Sequence, residues 1–357
     1  MGLFRLLRWA RLGLFEEMRC NVLRPPGAPL ARAPPPRARG CAVVSGATGG
    51  LGEATALALA AAGYHTIIGT RDLAQGDRVV REIRSRGGSA DAALLELDDG
   101  CRAIASALRV ARYKPNLLVN NAATMGASRS TTCKVNLVNT ALFTLALLPS
   151  LSPYGETPPR VVNVASSSHL RAAAMISAKL LDDQSPDANL QAYAASKLGL
   201  MHFSEAIRCL DGARSKHRRN NARGLVVHDV HPGLVWTPML RRQLGGLEPP
   251  FHRRIFKDAS TAAATVVAAA VDETPNPRPT DMHHHRRADF QVYYVDARHR
   301  PDLASPESRD AQGVRHTWDA LLAPHCQKHA ALREISRDVG AALRDDNVTG
   351  AGIVYCE

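Results

Sequence analysis

A tyrosine and a lysine stand four positions apart in "LQAYAASKLGL", residues 190–200. On a helix, positions i and i+4 share a face with Cβ atoms about 5–6 Å apart, so the Lys197 ammonium can approach the Tyr193 phenol. A nearby cation favours the phenolate, which would make the pair a proton-transfer device. The bland reading is an amphipathic helix with two polar residues, and the pair alone does not exclude it. Only seven of the 45 basic residues are lysine, which makes a lysine at this place more informative.

A second group of residues suits a nucleotide. In "VVSGATGGLGEATALALAAAG", residues 43–63, a short apolar strand ends in glycines at 46, 50 and 52 and a helical stretch follows. Such glycines permit a tight turn, let backbone approach a pyrophosphate, and aim a helix N-terminus at its charge. The competing reading is a plain tight turn. The strand before, the helix after and a second strand about 20 residues on favour the nucleotide.

These residues need a scaffold, and the pattern from residue 41 supplies one. "CAVVSG", "HTIIGT", "ALLEL", "LLVNNAA", "RVVNVASSS" and "LVVHDVHPG" read as short strands. "GEATALALAAAG", "RVVREIRSRGG", "NLVNTALFTLALLPSL" and "STAAATVVAAAV" read as helices between or after them. Apolar strands alternating with helices predict an α/β fold, a Rossmann-like doubly wound parallel sheet with helices on both faces in a single domain. Leu332, Ile335, Val339 and Ala342 recur at helical spacing and predict a C-terminal helix that packs on the body or on a partner. The expected organisation is a basic extension and Pro-rich linker over 1–40, a catalytic domain over 41–320, and a helical tail over 321–357.

The spacing Gly46-x-x-x-Gly50-x-Gly52 resembles the glycine motif of the short-chain dehydrogenase/reductase family. Further matches follow in that family's order: "NNAA" at 120–123, Asn136 in "KVNLVNTALF", a serine after "RVVNVA", "YAASK", and "HPGLVWT" at 231–237. The resemblance spans about residues 41–320 and is closest to the retinol dehydrogenase-like branch. It implies that Tyr193 is the general acid/base, that Lys197 lowers its pKa and grips the nicotinamide ribose, and that Ser166 bonds the substrate oxygen. Asn136 would complete a water-linked proton relay. Ser166, Ser167 and Ser168 are consecutive, and Ser166 is chosen by aligning "VVNVAS" with the family's strand. The chemistry agrees, because hydride transfer to a carbonyl leaves an alkoxide that must be protonated.

The resemblance also implies a cofactor wall. Ser45, Gly46, Thr48, Gly50, Leu51 and Gly52 would hold the pyrophosphate end. Asn120 and Ala122 would follow along the path, with Pro232, Gly233, Val235 and Thr237 near the nicotinamide beside Tyr193 and Lys197. Glu96 or Asp98 would meet the adenine, and the sequence does not choose between them. At the end of the second strand, Thr70 is neutral and Arg71 follows. An arginine there clamps a ribose 2′-phosphate, so NADP(H) is favoured over NAD(H). Ala123, where many family members carry glycine, adds a methyl near that path.

The expected reaction is NADP(H)-dependent interconversion of a lipophilic carbonyl and alcohol. The alternative is a catalytically silent NADPH-binding scaffold acting through partners, which has no physical need for Asn136, Ser166, Tyr193 and Lys197 together. Leu234, Trp236, Met239, Leu240 and Leu244 form an apolar series over 234–256 that would enclose the substrate or pack a lid helix. "HHHRR" at 283–287 reads as a solvated loop, and no metal is expected.

A net charge of +12 and a pI near 9.7 raise a nucleic-acid reading. The arginines are spread along the chain without zinc-finger spacing or interleaved aromatics, so no nucleic acid is expected. "RSKHRRNNARG" at 214–224 reads as an exposed basic loop. Seven cysteines at irregular spacing point to an intracellular, reducing compartment and leave the sequon at Asn347 idle. The apolar stretches are short and alanine-rich, which argues against a spanning helix. Residues 1–24 mix arginine with Leu, Phe and Trp and suit peripheral contact with a membrane surface. A mitochondrial transit peptide is the other reading, against which Glu16 and Glu17 count. Homo-oligomerisation is left open.

Overall fold

The computed structural model describes residues 38–172, 176–187, 190–215, 224–243, 256–271, 293–295, 298–299 and 304–345. The amino-terminal segment and its linker to residue 37, most of the 214–224 loop, Leu244, "HHHRR" and the sequon lie outside the described residues.

Strands β1 (Cys41–Ser45), β2 (His65–Thr70), β3 (Ser89–Leu94), β4 (Leu117–Asn120), β5 (Arg160–Val164), β6 (Val226–His231), β7 (Tyr293–Val295) and β8 (Arg298–His299) form one sheet. Their order is β3-β2-β1-β4-β5-β6-β7-β8. All pairings are parallel except the last, β7 with β8. The described helices are α1 (Gly50–Ala61), α2 (Leu73–Ser85), α3 (Gly100–Ala111), α4 (Arg129–Ser150), α5 (Gln191–Ser215), α6 (Pro238–Gln243) and α7 (Ala259–Val271). Three more follow: α8 (Ala311–His316), α9 (Ala323–Gln327) and α10 (Arg333–Arg344). This is the doubly wound α/β architecture expected from the sequence.

Strand alternation divides the interior in two. Val43 of β1 faces a core shared with α3, α4, α5 and α10, whereas Val44 faces one shared with α1, α2 and α7. Both valines are fully buried, as are Ile67 and Ile68 of β2. A sheet covered on both faces explains why its central strands read as continuous apolar runs.

Two expectations shift, and one further helix calls for an account of its apolarity. The third strand is Ser89–Leu94, four residues earlier than "ALLEL", because pairing with β2 from His65 to Thr70 sets its limits. Helix α3 has no counterpart in the sequence reading. Its signals are present: Asp99 caps it by accepting from the Cys101 and Arg102 amides, and Ala103, Ile104, Ala107 and Val110 are buried at helical spacing. Finally, α4 is long and apolar enough to cross a membrane, with mean hydropathy 1.3 over its 18-residue window, yet 72% of that window is buried inside the fold. Burying Leu137, Leu142 and Phe143 there contributes about 1.5–3 kcal/mol each, so the core accounts for its apolarity.

The C-terminal helix packs on the body. Leu332, Ile335, Val339 and Ala342 are all buried, and the first three belong to the core that holds α5. The order of strands reverses between β1 and β4, which opens a crevice above their carboxyl ends. In such sheets that is where ligands bind.

Candidate functional site

A cavity of about 1250 Å³ occupies this crevice. One end is built by the glycine loop. Gly46 and Gly50 adopt φ of +64° and +54°, in the left-handed region where side chains are strained. Gly52 is required by packing, since a Cβ there would collide with the Gly46 carbonyl and the Asn121 amide. Gly49 caps α1 without a side-chain bond, so no side chain takes up the first amides of a 12-residue helix where Gly50, Leu51 and Gly52 line the cavity. A backbone cradle with no Cβ in the way and a helix N-terminus behind it fits the pyrophosphate of a dinucleotide.

Several residues that the sequence reading did not name hold this cradle. Asn121 Nδ2 donates to the carbonyls of Ser45 (2.9 Å) and Gly46 (3.2 Å). Arg78 of α2 donates to the Thr48 carbonyl (3.3 Å) and forks onto both Glu53 oxygens at 2.9 and 2.7 Å. Ser45 is 1% exposed, and its hydroxyl accepts from the Asn121 and Ala122 amides, both at 3.0 Å. It staples β1 to the loop after β4 and is not part of the cavity wall, whereas Gly46, Thr48, Gly50, Leu51, Gly52 and Ala122 are. Asn120 likewise points away: its amide donates to Asn163 Oδ1 (2.8 Å) and Thr144 Oγ1 (2.9 Å) under the sheet. Its neighbour Asn121 takes the wall position.

At the far end, Arg71 is exposed and lines the cavity. The adjacent carboxylate is engaged elsewhere, because Asp72 caps α2 by accepting from the Ala74 (2.9 Å) and Gln75 (3.3 Å) amides. Asp98 lies on the wall and Glu96 does not; both approach Arg102, at 2.9 and 3.6 Å.

The reactive end is formed by α5 and the turn after β5. Lys197 is 3% exposed, donates to the Val164 carbonyl at 2.7 Å, and carries its Nζ 5.7 Å from the Tyr193 ring centre. Burial pushes this ammonium down from 10.5 to about 8. Tyr193 and Lys197 share the cavity wall with Ser166, Ser167 and Ser168. Ser166 Oγ accepts from the Ser168 amide at 3.2 Å, and Ser167 donates its own amide to His231 Nδ1 at 3.3 Å. Burial, followed by the charge of Lys257, holds the His231 imidazole down at about 3, so it stays a neutral acceptor.

The start of α5 is set by Asp187, which the sequence reading missed. Its two oxygens accept from the Ala192 amide at 3.0 Å and from the Tyr193 amide at 2.9 Å, and it is 2% exposed. Asn136 sits in a π-helical stretch of α4, Lys134–Asn139. Such stretches are frequent at functional sites. Its amide clamps both backbone groups of Thr124, at 2.7 and 2.9 Å, and donates to Ser196 Oγ at 3.1 Å. Asn136 is buried behind the wall, which Thr124 itself lines.

Pro232, Gly233, Val235 and Thr237 all line the cavity after β6. Of the apolar series, Leu234, Met239 and Leu240 face it together with Met125, Val135 and Leu170. Trp236 is not among the lining residues and packs against Phe256 with the rings tilted at 44° and centres 5.2 Å apart. Among the described residues no group of His, Cys, Asp or Glu is arranged to hold a metal, and no disulfide joins the described cysteines.

The crevice thus joins a glycine cradle that fits a pyrophosphate at one end to a tyrosine–lysine–serine group at the other. Residues 40–245 match the family model described as short chain dehydrogenase, and the chain belongs to the short-chain dehydrogenase/reductase family. Mouse retinol dehydrogenase 12 is 30% identical over 251 residues, 66% of this chain and 74% of that one. Human dehydrogenase/reductase SDR family member 13 is 30% identical over 240 residues, and the match spans only 60% of its length. Mouse polyprenol dehydrogenase is 31% identical over 252 residues, 66% of this chain and 72% of that one. Together these relatives support the retinol dehydrogenase-like branch. A Burkholderia cenocepacia short chain dehydrogenase solved with NADP superposes with a TM-score of 0.50 at 23% identity, over 66% of this chain and 92% of that one, which establishes the fold.

Proposed function

We propose that this protein interconverts a lipophilic carbonyl and its alcohol with NADP(H), using Tyr193 as general acid/base. The observation that carries the reading is the buried Lys197 ammonium beside the Tyr193 ring, on one cavity wall with Ser166. When bound, NADP(H) supplies or accepts the hydride. The chain's own residues handle the oxygen. The Ser166 hydroxyl donates a hydrogen bond to the carbonyl oxygen, and the Tyr193 hydroxyl delivers the proton that turns the developing alkoxide into an alcohol. In the oxidising direction the phenolate takes that proton back. Lys197 holds positive charge beside the ring and offers its remaining N–H groups to the nicotinamide ribose.

Cofactor residues follow the same reading. The glycine cradle takes the pyrophosphate, Arg71 a 2′-phosphate and Asp98 the adenine. Asn136 orders the wall at Thr124 and lends the relay its position. The apolar wall around Met125, Leu170, Leu234, Met239 and Leu240 suits a hydrocarbon substrate, in keeping with relatives named for retinol and polyprenol.

The test is NADPH consumption with a panel of retinals, fatty aldehydes, steroids and quinones, repeated with Tyr193→Phe. That change keeps the ring and removes the acid, so turnover falls by roughly 10²–10⁴-fold while NADPH still binds. Near-normal turnover by Tyr193→Phe on a good substrate rejects the proposal.

A further inference from the structure

We propose that residues 304–322 are a strut that positions Ser166 relative to the helix bearing Tyr193, with His169 as the coupling piece. The proposal rests on the reading of Ser166 as the donor to the substrate oxygen.

The His169 ring is 1% exposed and bridges two backbones. Its Nδ1 lies 2.6 Å from the Ser166 carbonyl oxygen, and its Nε2 lies 3.1 Å from the Ser305 amide nitrogen. A backbone N–H can only donate, so Nε2 is the bare nitrogen, and Nδ1 carries the proton and donates to Ser166. The ring is a neutral, rigid spacer that transmits the place of Ser305 to the serine turn, 136 residues away in sequence.

Ser305 is itself fixed. It caps the turn Pro306–Arg309 by accepting from the Ser308 amide at 3.2 Å, and the Ser308 hydroxyl donates back to its carbonyl at 2.6 Å. Within that turn the Glu307 carbonyl accepts from His202 Nε2 at 2.9 Å. His202 belongs to α5, the helix of Tyr193 and Lys197, and its Nδ1 accepts from the Thr317 hydroxyl at 2.7 Å. A third imidazole, His316, donates from Nε2 to the Ile176 carbonyl at 2.9 Å, beyond the serine turn. The chain of contacts therefore runs from Ser166 through His169 to the 305–309 turn, and through His202 to α5.

Among the described residues, Lys197 of α5 donates to the Val164 carbonyl and His231 of β6 accepts the Ser167 amide, while the Ser166 carbonyl accepts from the His169 ring and the His169 amide. The strut lies outside residues 40–245, the stretch matched by the family model.

Two substitutions separate positioning from simple support of the fold. Ser305 has φ of −68°, which proline also adopts. Ser305→Pro removes the amide donor and the capping hydroxyl, whereas Ser305→Ala removes only the hydroxyl. With full-length protein and saturating NADPH, Ser305→Pro should lower kcat for carbonyl reduction by about tenfold to a hundredfold relative to Ser305→Ala, with NADPH Kd unchanged. In a Ser166→Ala background the two should turn over equally, because the strut then has nothing to position. Equal kcat for Ser305→Pro and Ser305→Ala, or an undiminished ratio in the Ser166→Ala background, overturns the proposal. If Ser305→Pro does not fold, His169→Phe against His169→Gln reads the same coupling, since only the amide can donate to Ser166 and accept from Ser305. Should Ser166→Ala alone leave kcat intact, the assignment of Ser166 falls, and the strut with it.

Discussion

Lys197 reaches across from α5 to the end of β5 and donates to the Val164 carbonyl at 2.7 Å. Helix and strand are thereby tied two residues before Ser166, and the lysine is placed by the sheet as much as by its own helix. The bond also holds a charge where burial disfavours it, with the ammonium down at about 8.

A pH dependence follows. In the free protein Lys197 loses its proton near pH 8, against 10.5 when exposed. Between those values the unfolded chain binds the proton and the folded chain does not, so this residue lets stability rise with pH there. Cofactor binding has the opposite sign, because ribose hydroxyls accept from the ammonium and favour it. NADPH affinity should be flat below pH 8 and weaken above it by up to about tenfold per unit. Titrations of Kd from pH 6.5 to 9.5 check this. Lys197→Met should bind NADPH more weakly throughout and show no bend near 8; a bend that persists assigns the titration to another group.

Cofactor preference is expected to turn on Arg71. A charge-assisted contact to a 2′-phosphate is worth about 1.5–3 kcal/mol, so Arg71→Ala should weaken NADPH binding by roughly tenfold or more. NADH has no such phosphate and should be little affected. Equal losses, measured side by side, remove the assignment.

Asp187 is expected to matter twice over. Asp187→Ala leaves the Ala192 and Tyr193 amides without their acceptor in a buried place, and should cost about 2 kcal/mol in urea unfolding. Turnover should fall as well, because the first turn of α5 carries Tyr193. Asp187→Asn keeps one acceptor oxygen and should recover part of both. Unchanged unfolding of Asp187→Ala would show that the cap contributes nothing.

The amino-terminal segment, by its composition, is proposed to attach the protein to an anionic membrane surface. Deleting residues 1–38 should abolish co-sedimentation with anionic lipid vesicles and preserve turnover of a soluble carbonyl. Vesicle binding that survives the deletion refutes the attachment.

What the sequence revealed and what it concealed divide along physical lines. Gly46, Gly50 and Gly52 were legible because backbone sterics forbid other residues there, and Tyr193 with Lys197 because helical spacing is a local property. Arg78 at Thr48, Asp187 under Tyr193 and His169 at Ser305 depend on chain segments brought together only by folding, so no local pattern announced them. The roles of Asn120 and Asn121 turn on which way a residue faces at a strand's end. Register decides that, and pairing partners set the register. Helix α3 differs, since its Asp99 cap and the helical spacing of Ala103, Ile104, Ala107 and Val110 are local signals carried by the sequence itself.

Portability is the final consequence. Trp318, Leu321 and Leu322, with Cys326 of α9 and Leu332, Ile335, Val339 and Leu343 in and around α10, complete the same core as Leu198, Phe203 and Ile207 of α5. The stretch matched by the family model ends at 245. In this chain that stretch is therefore not an exchangeable cassette: transplanted alone, it would carry the underside of the Tyr193 helix into water.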